Sequence, residues 1–135
     1  WGHDISPEEN QYEAGLRFAI SYKKDLDFIG KEALLKIKDK KLSKKFIMLT
    51  LKDSKPGYPL MLHDEPIYIN DKIIGKTTSA NYSFNYKKNL AFGYVKSEEI
   101  IDIKKGQKLY IEIEKVKYEA SILSKPLNEK NFKKI

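Results

Sequence analysis

The sequence predicts an α+β fold that is mainly β, with one helix followed by about six short antiparallel strands. Its 135 residues are enough for one compact unit with a hydrophobic core. Hydrophobic residues make up 41% and charged residues 33%, the balance of a globular protein. No crossover helices separate the strand-like segments, so parallel βαβ units are excluded. The strands are therefore expected to form an antiparallel barrel or a sandwich.

The first 22 residues give two predictions. Residues 6–9, Ser-Pro-Glu-Glu, have the form of a helix start, with a hydroxyl cap, an early proline and a glutamate three residues on. No apolar stripe follows and Gly15 interrupts, so an ordered loop is an equal alternative. Residues 16–22 alternate between apolar or aromatic side chains and Arg, Ala and Ser. This period of two predicts a half-buried strand.

Residues 31–38 are the best helix candidate in the chain. Ala33, Leu34 and Ile37 fall on one face at helical spacing, and Leu42 extends the same pattern. Beyond the helix, the strand predictions cover residues 46–51, 66–70, 72–77, 90–95, 109–113 and 116–122. Residues 66–70 and 72–77 lie around the turn residues Asn70-Asp71, and residues 109–113 and 116–122 are separated by the two residues Glu114-Lys115. Both pairs are predicted hairpins.

Charge and composition exclude several classes of function. The net charge is +7, but only one of the 26 basic residues is an arginine, which leaves 26 − 1 = 25 lysines. Scattered lysines are typical of a solvated surface rather than a specific nucleic-acid site, so no nucleic-acid partner is expected. The chain has no cysteine and no apolar run approaching the ~20 residues that span a bilayer. We expect a cytoplasmic protein without a membrane partner.

The residues themselves give little sign of catalysis. His3 and His63 are 60 positions apart, outside any metal-ligand spacing, and are expected at the surface. The seven glycines are dispersed, so there is no phosphate-binding loop, and no GxSxG motif is present. Glu13, Asp25 and Asp27 are the candidate carboxylates, for which solvated or capping roles are expected. Neither a catalytic nor a metal site is predicted.

Three blocks in order carry a family resemblance. Residues 1–9 with 13–16 (WGHDISPEE, EAGL), residues 27–34 (DFIGKEAL) and residues 75–95 (GKTTS through NLAFGYV) resemble the C-terminal portion of glycine-cleavage T-proteins. The first block is similar in particular to the dimethylglycine and sarcosine dehydrogenase branch of that family. The sequence departs from the pattern at Ala80, where the family has glycine, and residues 128–130 replace the YDP that follows the matching kPL at 125–127.

The resemblance implies a fold, an activity and partners. Residues 1–40 would be the end of the folate-binding portion with its connecting helix, and residues 41–135 a six-stranded C-terminal β-barrel. Tetrahydrofolate is the implied cofactor, with FAD in a separate upstream domain in the dehydrogenase branch, and a small amine is the implied substrate. The catalytic aspartate of the family lies upstream of the equivalent of Trp1. We therefore expect the chain to be a fragment, inactive alone, whose partners are the upstream folate-binding and FAD domains.

Two residues are the candidate folate contacts implied by the resemblance. Phe18 stands where T-proteins place a tryptophan facing the folate, and its ring is expected to stack on the pterin or aminobenzoyl ring. A buried core role for Phe18 is the equal alternative. Phe132 is the second candidate, in the position of a C-terminal aromatic near the substrate.

Four other functions remain open at this level. One is a T-protein aminomethyltransferase that works with a lipoyl carrier. The second is a non-enzymatic folate-binding relative that supports tRNA modification or iron–sulfur assembly. The third is a stand-alone β-barrel binding module, and the fourth is demethylation of a sulfonium substrate.

Overall fold

A closed antiparallel barrel of six strands dominates the computed structural model, which describes residues 1–23, 27–99 and 108–123. In chain order the elements are a 3₁₀ turn at Arg17–Ala19, helix α1 at Lys31–Ile37, and strands β1 Lys44–Leu51, β2 Pro66–Ile69, β3 Lys72–Ser83, β4 Lys88–Lys96, β5 Leu109–Ile113 and β6 Val116–Leu123. Around the barrel the order is β1-β4-β3-β2-β5-β6, and β6 pairs with β1 to close it. The predicted fold class is confirmed, and of the two architectures the barrel is the correct one.

The core lies inside the barrel and follows from the alternation of side chains along the strands. In β5, Leu109, Ile111 and Ile113 are buried while the two residues between them are half-exposed. Because successive side chains of a strand point to opposite faces, this places one row in the interior. The largest fully buried side chains are Leu49, Leu51, Ile67, Ile74, Leu109, Ile111, Val95 and Thr77.

Both predicted hairpins are confirmed. β2 pairs with β3 across the turn at Asn70, which has a φ of 54°. β5 pairs with β6 across Glu114 and Lys115, whose φ values are 50° and 65°. Two consecutive positive φ angles are the backbone geometry of the tight two-residue turns that suit the twist of paired strands.

Strand β3 is longer than predicted and is bound closely to β4. It continues past residue 77 to Ser83, through an irregularity in pairing between Thr77 and Ser79. A Cβ atom on Gly75 would lie 2.0 Å from the carbonyl oxygen of Tyr94, and one on Gly93 would lie 2.5 Å from that of Lys76. Glycine is therefore required at both positions for the two backbones to approach.

The strand prediction for residues 16–22 is wrong. The backbone turns at Arg17–Ala19, where Ala19 N donates to Leu16 O at 3.0 Å and Ile20 N donates to Arg17 O at 3.2 Å. A strand needs a neighbour for its backbone hydrogen bonds, and here the local turn satisfies those groups instead. The core alternative for Phe18 is wrong as well, because 86% of its side chain is exposed.

The predicted helix is confirmed as α1 at Lys31–Ile37. Gly30 is the N-cap residue in front of the helix and has a φ of 89°. Leu34 and Ile37 are half-buried and Ala33 is exposed, so no residue of the helix is fully buried. The helix lies on the surface of the described part of the chain. None of the helices within the described ranges has the length and apolar character to cross a membrane.

Candidate functional site

Asp4 fixes the start of the chain to strands β3 and β4. Its Oδ1 accepts hydrogen bonds from Thr78 Oγ1 at 2.6 Å and from Ser79 Oγ at 2.8 Å. The hydroxyl of Tyr94 donates to the Asp4 carbonyl oxygen at 3.0 Å. Burial, followed by the nearby carboxylates of Glu9, Glu13 and Asp4, raises the pKa of Tyr94 to about 12. The neutral phenol that makes this hydrogen bond is thus the favoured form.

Glu9 makes a second connection, to strand β1. Its carboxylate accepts from Lys44 Nζ at 2.5 Å and from the backbone N and Oγ of Ser6 at 2.8 and 2.6 Å. The hydrogen bond from Lys44, and then that from Ser6, lower the pKa of Glu9 below its ordinary value. The Ser6–Glu9 contacts are those of a capping box, yet turns follow rather than a helix. Of the two alternatives for residues 6–9, the ordered loop is the one observed.

Glu13 makes a third connection from a buried position. Its carboxylate accepts from Ser43 Oγ at 2.6 Å and from Asn10 N at 3.3 Å, and its carbonyl oxygen accepts from Phe46 N at 2.8 Å. Glu13 is therefore neither solvated nor a helix cap, and its carboxylate joins the N-terminal segment to the start of the barrel. Asp27 likewise accepts from the backbone N of Phe28 at 3.0 Å, whereas Asp25 lies outside the described residues.

Tyr12 connects this segment to helix α1. Its hydroxyl donates to the carbonyl oxygen of Leu34 at 3.1 Å and contacts the hydroxyl of Tyr22. Burial, followed by the hydrogen bond with Tyr12, raises the pKa of Tyr22 to about 12. Residues 1–23 and 27–40, called here the N-terminal segment, are thus held on the barrel by contacts that join all three sequence blocks.

A cleft of about 820 Å³ lies between the N-terminal segment and the barrel. Its lining mixes charged and apolar side chains, and it comprises Gly2, His3, Ser6, Glu8, Glu9, Lys44, His63, Asp64, Pro66, Ile73, Ile74, Gly75, Lys76, Thr78, Tyr94, Val95 and Lys96. The rings of His3 and His63 meet here with centroids 5.4 Å apart. Both histidines are exposed, as predicted, but their proximity was not predicted.

Several large apolar side chains of the N-terminal segment are exposed. Trp1, Phe18 and Ile29 are almost completely accessible, and Phe28 and Leu35 are exposed to a lesser degree. Such a group marks a surface for packing against another protein portion or a ligand. Phe18, a predicted folate contact, is in this group, whereas Phe132, the other, lies outside the described residues.

Sequence reasoning did not identify Asp4, Glu9 or the histidine pair as a site. The signal for Asp4 was present, because it belongs to the first block and its partners Thr78 and Ser79 to the third. Pattern analysis gives no distance between blocks more than 70 residues apart. The same limit applies to His3 and His63.

Comparison with known proteins identifies relatives in two groups, the dimethylglycine dehydrogenases and the aminomethyltransferases. The model of the glycine cleavage T-protein C-terminal barrel domain matches residues 44–128. The human mitochondrial dimethylglycine dehydrogenase is 37% identical over 129 residues, which are 94% of this chain and 14% of that protein. An aminomethyltransferase of Listeria welshimeri is 35% identical over 126 residues, 93% of this chain and 33% of that protein.

A solved structure has the same fold. The glycine cleavage system aminomethyltransferase T from Bartonella henselae superposes with a TM-score of 0.77 at 24% identity, over 95% of this chain and 34% of that chain. The chain therefore spans about one seventh to one third of the lengths of these relatives.

Proposed function

Since the chain belongs to the glycine cleavage T-protein C-terminal barrel family, we propose that it is the C-terminal part of a tetrahydrofolate-dependent one-carbon-transfer enzyme of the dimethylglycine or sarcosine dehydrogenase type. The match to human dimethylglycine dehydrogenase supports this, because it extends over 94% of the chain and so includes residues outside the barrel. The substrate class we propose is a small methylated amine.

The N-terminal segment is the proposed contact with the rest of the enzyme. Trp1, Phe18 and Ile29 are large apolar side chains of this segment that are almost completely exposed. Burying side chains of this size contributes about 1.5–3 kcal/mol each. We propose that they pack against a folate-binding portion upstream in the same polypeptide, and that residues 1–40 belong to that portion while residues 41–135 form the barrel domain.

Phe18 is the proposed tetrahydrofolate contact within this surface. Its ring is free to stack on the pterin or aminobenzoyl group, an arrangement worth about 0.5–1.5 kcal/mol beyond area burial. Tetrahydrofolate supplies the acceptor for the one-carbon unit when it is bound. The contribution of this chain is orientation, because holding two reactants in register lowers the barrier to reaction. Phe132 is proposed as a second contact.

The proposed catalytic aspartate and FAD both belong to portions outside residues 1–135. The chain alone is then expected to show no one-carbon transfer. A cytoplasmic location is also a proposal, consistent with a chain that has no cysteine. The human relative is designated mitochondrial, so fractionation of the source cells is the appropriate test.

Replacement of Phe18 in the intact enzyme tests the folate contact. Phe18→Ala is expected to raise the Kd for tetrahydrofolate by at least about 2- to 12-fold, the equivalent of the 0.5–1.5 kcal/mol of stacking alone, while Phe18→Tyr retains affinity. Phe84→Ala is the matched control, because Phe84 is 76% exposed and belongs to the barrel hairpin β3–β4 rather than the N-terminal segment. Equal Kd values for Phe18→Ala and Phe84→Ala would contradict the assignment.

An aminomethyltransferase is the second candidate function. It is supported by the 35% identity to the Listeria protein over 126 residues. The mass and visible absorption of the intact polypeptide from its source distinguish the two. A large polypeptide with flavin absorption supports the dehydrogenase, and a mid-sized colourless one supports the aminomethyltransferase. A polypeptide no larger than this chain would contradict both.

A further inference from the structure

The two histidines of the chain lie next to each other in space. His3 belongs to the N-terminal segment and His63 to the loop before β2, and the two rings are inclined at 58° with centroids 5.4 Å apart. Both line the cleft between segment and barrel. Within the described ranges, no hydrogen bond engages either ring nitrogen of His3 or the Nε2 atom of His63. Two imidazole rings from separate elements thus lie side by side in the cleft.

Asp64 orients one of these rings. Its Oδ2 lies 2.7 Å from His63 Nδ1, and its Oδ1 accepts from Lys76 Nζ at 2.5 Å. The Asp64 carboxylate thus bridges the Lys76 ammonium group and the His63 ring. An ionised carboxylate at Nδ1 favours the tautomer with its proton there and leaves Nε2 as the electron-pair donor. Metal-ligating histidines are commonly held by a carboxylate in this way.

The separation of the rings agrees with joint ligation of one ion. With metal–nitrogen bonds of about 2.0–2.1 Å and a tetrahedral angle, two ligating imidazoles have centroids roughly 5 Å apart. The observed 5.4 Å is close to that value. We propose that His3 and His63 form a binding site for a borderline divalent transition metal, represented by Zn²⁺, with Asp64 positioning His63 and water completing the coordination.

Water ligands are required because the protein supplies few donors. The chain has no cysteine, and in residues 1–23, 27–99 and 108–123 no three histidine or acidic side chains are arranged around a common point. The site therefore differs from a closed structural zinc site, which has four protein ligands. Its consequence is a cross-link between the N-terminal segment and the barrel, which adds stability that rises with the logarithm of the free metal concentration once this exceeds the Kd.

Titration of the chain with Zn²⁺ alone tests the site. Calorimetry is expected to give one ion per chain, and both sets of histidine ring resonances in the NMR spectrum are expected to shift together. His3→Gln and His63→Gln should each weaken binding by more than about 100-fold, and Asp64→Asn by roughly 10- to 100-fold. Asp53→Asn, which changes an exposed carboxylate outside the cleft, should leave the affinity unchanged.

Two further outcomes would overturn the proposal. One is Zn²⁺ affinity that is the same in the wild type, His3→Gln and His63→Gln, which would assign binding to other groups. The other is a Zn²⁺-induced shift of the resonances of only one histidine ring, which would show that the ion does not join the two residues. Circular dichroism of each variant provides a check on folding, which is expected to be retained because both histidines are exposed.

Discussion

Asp4 is the residue on which docking of the N-terminal segment depends most directly. One carboxylate oxygen accepts from two hydroxyls of β3, and the carbonyl oxygen accepts from Tyr94. Asp4→Ala leaves the hydroxyls of Thr78 and Ser79 without this acceptor, and we expect a loss of about 1–3 kcal/mol in the free energy of unfolding. Asp4→Asn keeps an oxygen acceptor and should cost less. Urea denaturation measures both.

The control for Asp4 is another aspartate with no comparable contacts. Asp53 is exposed after β1, and Asp53→Ala should change stability by no more than about 0.5 kcal/mol. Equal losses for Asp4→Ala and Asp53→Ala would show that the two side-chain hydrogen bonds of Asp4 make no net contribution.

Glu9 makes the stability of the docked N-terminal segment depend on pH in the acid range. Its pKa is lowered in the folded protein, chiefly by the hydrogen bond from Lys44. A carboxylate of this kind stabilises the fold fully above its unfolded pKa, about 4.3, and the contribution is lost as the pH falls through the folded value. The stability difference between wild type and Glu9→Gln should therefore be constant above about pH 5 and shrink below it.

Urea denaturation at a series of pH values between neutral and acid measures this difference. Glu98→Gln is the control, since Glu98 is exposed and has no recorded ion pair in the described part of the chain. A difference for Glu9→Gln that is independent of pH would contradict the assigned role of the Lys44 contact.

Strands β3 and β4 approach each other closely at glycines, and these glycine positions are expected to tolerate substitution poorly. A methyl group at residue 93 would lie 2.5 Å from the Lys76 carbonyl oxygen, so one strand must move. Gly93→Ala is expected to lower the free energy of unfolding by about 1–3 kcal/mol. Lys88→Ala, an exposed position on the same strand, is the control. Thermal melts that coincide for the two variants would argue against this close approach.

Substitution in the turn between β5 and β6 is expected to raise the stability of the protein. Glu114 and Lys115 both have positive φ, which costs energy for residues with side chains. Replacing the pair by Asn-Gly, the residues preferred in such turns, should stabilise the protein by about 0.5–2 kcal/mol. A melting temperature that stays the same or falls would mean that the two side chains make contacts that compensate for the backbone strain.

The sequence correctly predicts those elements whose structure is determined by residues close together in the chain. The two hairpins follow from alternation and from turn residues next to the strands, and both were predicted from the sequence. Residues 16–22 have the same alternation, but their backbone turns at Arg17–Ala19, and no strand in the described part of the chain pairs with them. Periodicity reports which side chains alternate and contains no information about whether a pairing partner exists.

At the scale of the whole molecule, closure of the barrel and assembly of the site depend on distant pairs. β1 and β6 join through Met48↔Leu123 to Leu51↔Ala120, a pairing that periodicity cannot specify, so the residues alone left barrel and sandwich open. Only the family resemblance favoured the barrel. Likewise, the contact of Asp4 with Thr78 and that of His3 with His63 arise when the N-terminal segment docks.

This architecture predicts that the barrel folds without the N-terminal segment. All six strand pairings in the ring lie within residues 44–123, so a chain comprising residues 41–135 keeps every ladder. This shorter chain loses the hydrogen-bond acceptors of Thr78, Ser79 and Lys44. We expect it to give a β-type circular dichroism spectrum and to unfold cooperatively. Its free energy of unfolding should be lower by about 0.5–1.5 kcal/mol for each lost hydrogen bond. Deleting residues 1–3 alone, which retains Asp4, should cost much less. Absence of cooperative unfolding for residues 41–135 would mean that segment and barrel form one domain, contrary to the division proposed at residue 40.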